Sequence, residues 1–449
     1  MLVANRGEIA VRVIRACREL GLRTVAIYSE ADEGAQHVEL ADEAYPVGPA
    51  PARRSYLHIP TIMNVVTQSG ADMVHPGYGF LAENAAFSAV CRLWGVQFVG
   101  PQPEAIERMG VKAQAKETMR QADVPVVPGS DGVVQDLAEA QAVAARIGYP
   151  LLVKASAGGG GRGIRVVQES GELETALERA ASEAQSSFGD GSLYIEKFLE
   201  DPRHIEIQVI ADRHGRVAAL GERESSLQRR RQKLLEEAPS VALDADLRLR
   251  MEEAARRAAL AVNYENAGTV EFLLDKSGNF YFMEMNTRIQ VEHGVSELVT
   301  GVDIVKEQLL VAMGEHLSVP DDYVQPVGHA IECRINAEDP LQDFRPSPGT
   351  IETLVSPGGF GVRVDFGVRA GSQVTSYYDS MIGKLMTWGR TRPEAIARMR
   401  RALTEMRIEG VKTTIPLHLA ILEDPEFCAG NIDINFLERR LAAGFLQQG

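Results

Sequence analysis

Lys154 is followed by a run with few parallels elsewhere in the chain: Ala155-Ser156-Ala157-Gly158-Gly159-Gly160-Gly161-Arg162-Gly163. Glycine has no Cβ, so such a backbone can bring N–H groups close around phosphate oxygens. Lys154 stands where an ammonium can meet the same phosphate. The alternative is a flexible hairpin with a solvated lysine, but four consecutive glycines carry an entropic cost that a plain hairpin does not require. The run is not G-x-x-x-x-G-K-[ST], so it is no Walker loop.

Glu271 and Glu284 form the second candidate. Apolar runs over 268–275 and 280–286 flank Lys276-Ser277-Gly278-Asn279, a hairpin signature. A two-residue turn at Ser277-Gly278 sets Lys276 opposite Asn279. A four-residue loop closed by Asp275 and Phe280 gives the same register. Either way Glu271 faces Glu284, with Cβ atoms about 4.5–5.5 Å apart and like charges in repulsion. A divalent cation removes that repulsion, and Asn286 on the same face can add an oxygen. Three hard oxygen ligands without His or Cys suit Mg²⁺ or Mn²⁺ held with nucleotide phosphates. A solvated face that tolerates the pair is the alternative; the apolar neighbours Phe272, Phe282 and Met283 weigh against it.

The same strand continues with Glu284, Asn286, Arg288, Gln290 and Glu292 alternating with Met285, Thr287, Ile289 and Val291. Five polar positions span too far for one small ligand. Either the site is elongated or the chain bends beyond the metal end. Arg288 beside Glu292 suits an oxyanion plus a base; a structural salt bridge is the alternative. Gln228-Arg229-Arg230-Arg231-Gln232-Lys233 concentrates four cations, either to bind an anionic substrate or as a solvated turn paired with Glu236 and Glu237.

The elements that must position these groups follow from the patterning. A chain of 449 residues suits about three domains. In the first block, 1–108, strands near 2–4, 24–28, 72–75 and 97–100 alternate with helices over 8–20, 59–68 and 85–93. This βαβ pattern implies a parallel, Rossmann-like sheet. Its first turn, Asn5-Arg6-Gly7-Glu8, is not GxGxxG, which argues against dinucleotide binding. The second block, 109–325, contains a compact α/β module over about 126–198. The third, 326–449, is mixed, with strands near 328–336, 349–354, 362–365 and 383–388 and a helix over 393–406. The overall class is α/β and α+β.

Composition excludes several functions. Hydrophobic residues make up 45% and charged residues 24%, ordinary for a globular protein. No apolar run approaches the ~20 residues of a membrane span. Lys and Arg total 47 against 62 Asp and Glu, a net charge of −15, which disfavours nucleic acid as a partner. Four scattered cysteines and a first segment without a basic-then-apolar leader point to the cytoplasm.

Taken together, the motifs resemble the biotin carboxylase family of ATP-grasp enzymes. The stretches that carry the resemblance are ANRGEIA (4–10), HPGYGFLAEN (75–84), KASAGGGGRG (154–163), YIEKFLEDPRHIEIQV (194–209), EMNTRIQVEH (284–293), ECRINAEDP (332–340), RPSPG (345–349) and YYDSMIGK (377–384). The resemblance implies an N-terminal Rossmann-like domain, an ATP-grasp domain with a mobile lid over about 126–198, and a C-terminal domain closing the site.

It also implies roles. Lys112 and Lys154 touch nucleotide phosphates, with Gly160 and Gly161 in the lid loop. Glu196, Lys197, Phe198 and Leu199 form the adenine-contacting segment. His204, Gln228 and Arg231 lie by the ribose and phosphates. Glu271, Glu284 and Asn286 hold two Mg²⁺ or Mn²⁺ ions. Lys233, Arg288, Gln290, Val291 and Glu292 form the bicarbonate site, with Glu292 as base, and Arg334 contacts the biotin ureido oxygen. The implied reaction carboxylates biotin with bicarbonate and ATP, as the first half-reaction of a biotin-dependent carboxylase, with acetyl-CoA carboxylase favoured and another acyl-CoA or pyruvate left open as the final acceptor; another ATP-grasp ligase and a non-catalytic nucleotide-binding subunit are the alternatives. No Met-Lys-Met stretch occurs, so biotin is expected on a separate biotin carboxyl carrier protein that serves carboxyltransferase subunits, or on a region outside this sequence. A homodimer is expected. The chain carries Val111, Arg231 and Gly294 where the family commonly has Asp, His and Pro.

Overall fold

A computed structural model describes residues 1–155, 164–188, 190–320 and 322–447. The N-terminal block is a five-stranded parallel sheet of β1 (Leu2–Val3), β2 (Val25–Ser29), β3 (Glu43–Gly48), β4 (Met73–His75) and β5 (Gln97–Phe98), in the order β3-β2-β1-β4-β5. The order reverses at β1, as expected of a doubly wound sheet. Helix Gly7–Glu19 follows β1 and buries Ile9, Val13, Ile14 and Cys17, the stripe that its 3.6-residue period requires.

The module that follows is smaller. β6 (Leu151–Ala155), β7 (Ile164–Val167) and β8 (Leu193–Lys197) form an antiparallel sheet in the order β7-β6-β8. Helix Leu173–Phe188 packs on it, as does helix Leu137–Ile147, which the sequence reading did not pick out. Asp136 caps the latter by accepting from Glu139 N.

The largest element is one eight-stranded sheet. It contains β9 (Arg203–Ala211), β10 (Val217–Arg229), β11 (Gln232–Ala238), β12 (Asn266–Leu274), β13 (Phe280–Asn286) and β14 (His329–Asn336). Short paired strands follow: β15 (Glu338–Asp339) with β16 (Arg345–Pro346), β17 (Gly349–Thr350) with β20 (Gln373–Val374), and β18 (Thr353–Val355) with β22 (Arg407–Glu409). The expected strand over 349–354 is therefore split between two ladders. β19 (Val362–Phe366) and β21 (Met381–Gly389) complete the large sheet, in the order β13-β12-β9-β10-β11-β14-β21-β19. This sheet runs without a break across residue 326.

Period-two patterning orients it. On β9, Ile205, Ile207 and Val209 face an apolar core under helix Ala245–Ala261. His204, Glu206 and Gln208 point the other way and are buried too. Among the described residues no helix is long and apolar enough to cross a membrane.

The β12–β13 hairpin reaches the expected register by an unexpected route. Its ladder closes at Leu274 and Phe280, not at Lys276–Asn279 or Asp275–Phe280. Asp275 N donates to Asn279 O at 2.8 Å, and Gly278 takes the left-handed turn position at φ +81°. A bulge between Glu271 and Phe272 then shifts the pairing by one, so that Glu271 faces Glu284 and Thr269 faces Asn286.

The close fit of the last strands gives a test. A Cβ on Gly383 would stand 1.6 Å from Phe366 Cδ1. Gly383→Ala should therefore displace the buried Phe366 ring and cost ~1–3 kcal/mol in denaturant unfolding. An unchanged midpoint would show that this ring does not cover Gly383.

Candidate active site

A rung of charged side chains crosses four neighbouring strands. Glu284 on β13 faces Glu271 on β12, Glu271 faces Glu206 on β9, and Glu206 faces Arg223 on β10. Three carboxylates in line repel one another, so each needs a cation or a set of donors. At the inner end Arg223, with no exposure, supplies them. It donates to Glu206 Oε1 (2.6 Å), Gln208 Oε1 (2.7 Å), Ser296 Oγ (2.9 Å), Thr269 Oγ1 (3.1 Å) and Gln290 Oε1 (2.6 Å).

Lys233, projecting from β11, serves the middle. Its Nζ donates to Glu206, to Glu271 Oε1 at 2.9 Å and to Glu292 Oε1 at 2.7 Å. Glu271 also accepts from Asn286 Nδ2 and Gln290 Nε2, each at 2.7 Å, and lies 2.7 Å from His204 Nε2. Burial alone would raise the Glu271 carboxyl; Lys233 and His204 hold it well below the ordinary range. One ligand atom each from His204, Glu206 and Glu271 lie within 4.8 Å of one another.

The outer end is different. Glu284 has burial and the Glu271 charge against it, and both push its carboxyl upward. Its cation is Lys112, 3.8 Å away and 82% exposed in the side chain. An under-compensated carboxylate opposite a second one is a fitting place for a divalent cation. Asn286, on the same face, turns Nδ2 to Glu271 and Oδ1 to Arg288.

Beyond Asn286 the chain leaves the sheet. Glu83, from the N-terminal block, accepts from Thr287 N (3.1 Å) and Arg288 Nε (2.9 Å), and the segment turns into helix His293–Thr300. So the site bends rather than elongates, and Arg288 is not the partner of Glu292. Arg288 contacts Glu83, Asn286 Oδ1 and the Ile289 carbonyl. The arginine on Glu292 is Arg334 from β14, which donates to Glu292 Oε2 at 2.8 Å and to Glu236 Oε1 at 2.7 Å. Burial favours protonated Glu292, but Lys233 and Arg334 outweigh it and hold the carboxyl well below the ordinary range. Glu236, against Arg334, is still pushed up by burial, to about 7.

The remaining sequence candidates sit around this core. Lys154 donates to Glu196, as does Lys116, which sequence reading missed. Lys197 Nζ donates to Tyr149 O, and the amides of Lys197 and Phe198 donate to Pro128 and Pro150. Leu199 lies just beyond β8. Gln228 pairs with Lys233 across the β10–β11 hairpin, whose turn is Arg230 and exposed Arg231, both at positive φ. Arg229 and Arg230 pair with Asp343, not with Glu236 or Glu237; those two pair with Arg334 and with His329 and Arg392. Gly160 and Gly161 lie outside the described residues. Glu206, Arg223 and Glu236 were also missed. The alternation His204-Ile205-Glu206-Ile207-Gln208 was the available signal for Glu206.

Three family models cover the chain: "Biotin carboxylase, N-terminal domain" over 1–106, "Carbamoyl-phosphate synthase L chain, ATP binding domain" over 111–319, and "Biotin carboxylase C-terminal domain" over 332–439. Biotin carboxylase 1 of Bacillus subtilis is 55% identical over 439 residues, 98% of both chains. A pyruvate carboxylase subunit of Methanothermobacter thermautotrophicus is 55% identical over 439 residues, 98% of this chain and 89% of that one. Among solved structures, the biotin carboxylase domain dimer of Hydrogenobacter thermophilus 2-oxoglutarate carboxylase, in complex with MgADP, ADP and bicarbonate, aligns with a TM-score of 0.89 at 50% identity. It covers 100% of this chain and 98% of that one.

The charge balance at Lys233 can be measured directly. Glu271 and Glu292 have depressed carboxyls, so their stabilisation is present above the ordinary carboxylate range and is lost as pH falls through their folded values. Lys233→Met should cost ~3–5 kcal/mol near pH 7, as expected when a buried ion cluster loses its cation. That deficit should shrink as pH drops below about 4.5, where protonation relieves the unpaired carboxylates. A deficit independent of pH in urea unfolding would contradict the network.

Proposed function

The chain belongs to the biotin carboxylase family and is an ATP-dependent biotin carboxylase; from that premise we propose how its own residues divide the work. The observation that carries the reading is Glu292, buried and ionised between the Lys233 ammonium and the Arg334 guanidinium.

Bicarbonate is a poor electrophile and the biotin ureido nitrogen a poor nucleophile. The proposed chemistry meets both difficulties by phosphoryl transfer. Bicarbonate, held by Lys233, Arg288, Gln290 and Val291, attacks the γ-phosphate of ATP and gives carboxyphosphate and ADP. Glu292 takes the bicarbonate proton as the attack proceeds. Its low pKa makes prior full transfer uphill, so the proton moves within the step. Lys112, Lys154 and His204 contact the nucleotide, and the segment Glu196 to Leu199 reads the adenine. Mg²⁺ or Mn²⁺ at Glu271, Glu284 and Asn286 would neutralise the charge that spreads over the transferring phosphoryl. Carboxyphosphate then breaks to CO₂ and phosphate, and phosphate takes the N1 proton of biotin. Arg334 stabilises the ureido enolate, which attacks CO₂.

We read the biotin as borne by a separate carrier protein, in a cytoplasmic acetyl-CoA carboxylase. The 55% identity with the Bacillus subtilis biotin carboxylase supports the biotin-carboxylating component of such a system. Pyruvate and 2-oxoglutarate carboxylases form the second reading, favoured by similarities of the same order. The Hydrogenobacter thermophilus domain dimer supports a homodimer.

Two substitutions test the assignments. Glu292→Gln keeps size but cannot accept the proton, so kcat should fall ~10²–10⁴-fold. ATP affinity by calorimetry without bicarbonate should change little. A near-normal kcat would leave Glu292 as a partner that merely orients Lys233 and Arg334. Arg334→Ala should abolish biotin carboxylation yet retain part of the bicarbonate-dependent ATP cleavage, because carboxyphosphate still forms and hydrolyses. Equal loss of both activities would make Arg334 structural.

A further inference from the structure

β21 buries a lysine that the chemistry above does not use. Lys384 has no exposed surface, and its Nζ donates to the main-chain carbonyl of Val291. The same Nζ lies 3.3 Å from Glu8 Oε1, in the first turn of helix Gly7–Glu19. Glu8 in turn accepts from the Tyr78 hydroxyl. One ammonium therefore ties the C-terminal segment and the N-terminal block to the loop between β13 and helix His293–Thr300.

Burying an ammonium is costly, and an apolar side chain of similar length would fill the same space without that cost. The ammonium is held by Glu8 at 3.3 Å and by the charge of Asp365, its cross-strand neighbour on β19, with Arg363 as the opposing cation; burial pushes the Glu332 carboxyl well up. What it reaches is equally specific. Val291 lies between Gln290, held by Arg223 and Glu271, and Glu292, held by Lys233 and Arg334. Those contacts fix the flanking side chains from one side. Lys384 fixes the peptide itself. In a trans peptide the C=O and the following N–H point in opposite directions, so a held Val291 carbonyl also sets the direction of Glu292 N–H.

We propose that Lys384 is a positioning residue for bicarbonate, holding the 290–292 backbone in the one orientation that presents Val291 and Glu292 to the anion. The proposal rests on the reading of residues 288–292 as the bicarbonate site. The residues read above as contacting ATP stand on other elements, and the hydrogen bond and ion pair of the Lys384 ammonium go to Val291 and Glu8. Loss of the contact therefore acts on one substrate.

The test is steady-state kinetics of bicarbonate-dependent ATP cleavage with free biotin. Lys384→Met should raise KM for bicarbonate by about tenfold or more, the effect of losing a charge-assisted hydrogen bond. KM for ATP should stay within about twofold of the parent value. Amide exchange of a peptide spanning 287–293 should become faster, while the peptide over 266–274 is unaffected. Because the single substitution leaves Glu8 without its cation, Lys384→Met/Glu8→Gln is measured beside it and should show the same split. A bicarbonate-dependent parent enzyme with an unchanged KM for bicarbonate in both variants overturns the positioning role alone. So does a parallel rise of both KM values, or failure of both variants to fold, each of which makes Lys384 structural. A parent enzyme that cleaves ATP without any need for bicarbonate overturns the reading of 288–292, and the proposal with it.

Discussion

A single ammonium shared by three buried carboxylates is the constraint to which the rest of the structure answers. Lys233 bonds to Glu206, Glu271 and Glu292, which come from β9, from β12 and from the turn before helix His293–Thr300. Even at an effective dielectric of about 20, unit charges about 3 Å apart interact by roughly 5 kcal/mol, so no member can be left unbalanced. The sheet solves this by adjacency. Neighbouring strands stand about 4.8 Å apart, which is the reach of one side chain to the next. Glu206 thus meets Glu271 on one side and Arg223 on the other without any loop having to be ordered for the purpose.

The balance is uneven along the rung, and the unevenness divides the site. Toward Arg223 every carboxylate oxygen has a donor close by, and the groups are buried. Toward Glu284 compensation fades: burial and the facing Glu271 raise its carboxyl, and the nearest cation is an exposed lysine. In the proposed scheme the closed end is where the small anion binds and the proton moves, with fixed donors that need no rearrangement. The open end attracts mobile positive charge, which is what a nucleotide brings with its metal.

Much of this was legible in the sequence. The parallel N-terminal sheet, the compact module over about 126–198 and the Glu271–Glu284 opposition were all expected, because each follows from local periodicity. The opposition was expected for the wrong reason. A five-residue turn and a bulge cancel, and neither is visible in a count of alternating residues. A bend beyond the metal end was one of two open alternatives, but the pairing of Arg288 with Glu292 failed because it rested on sequence proximity alone. Glu83, some two hundred residues earlier, bends the chain, and no local pattern at 284–292 announces it. Lys116, Glu206 and Arg223 were missed for a related reason: a buried charge looks like any other polar residue until its partner from a distant strand is known.

The replacement of Arg288 by Arg334 at Glu292 alters how the two halves of the proposed chemistry connect. Glu292 divides its oxygens, one to Lys233 and one to Arg334. While Glu292 is charged, it competes with any anion for the Arg334 guanidinium. Once it has accepted the bicarbonate proton, that competition weakens, since a neutral carboxyl binds a guanidinium far less strongly. Glu236, whose carboxyl burial and the Glu292 charge both push upward, then remains as the other carboxyl on Arg334. In the proposed scheme, then, proton transfer in the first step leaves Arg334 less occupied when the ureido enolate forms in the second. The order of events follows from a shared charge, without a separate conformational signal between the two steps.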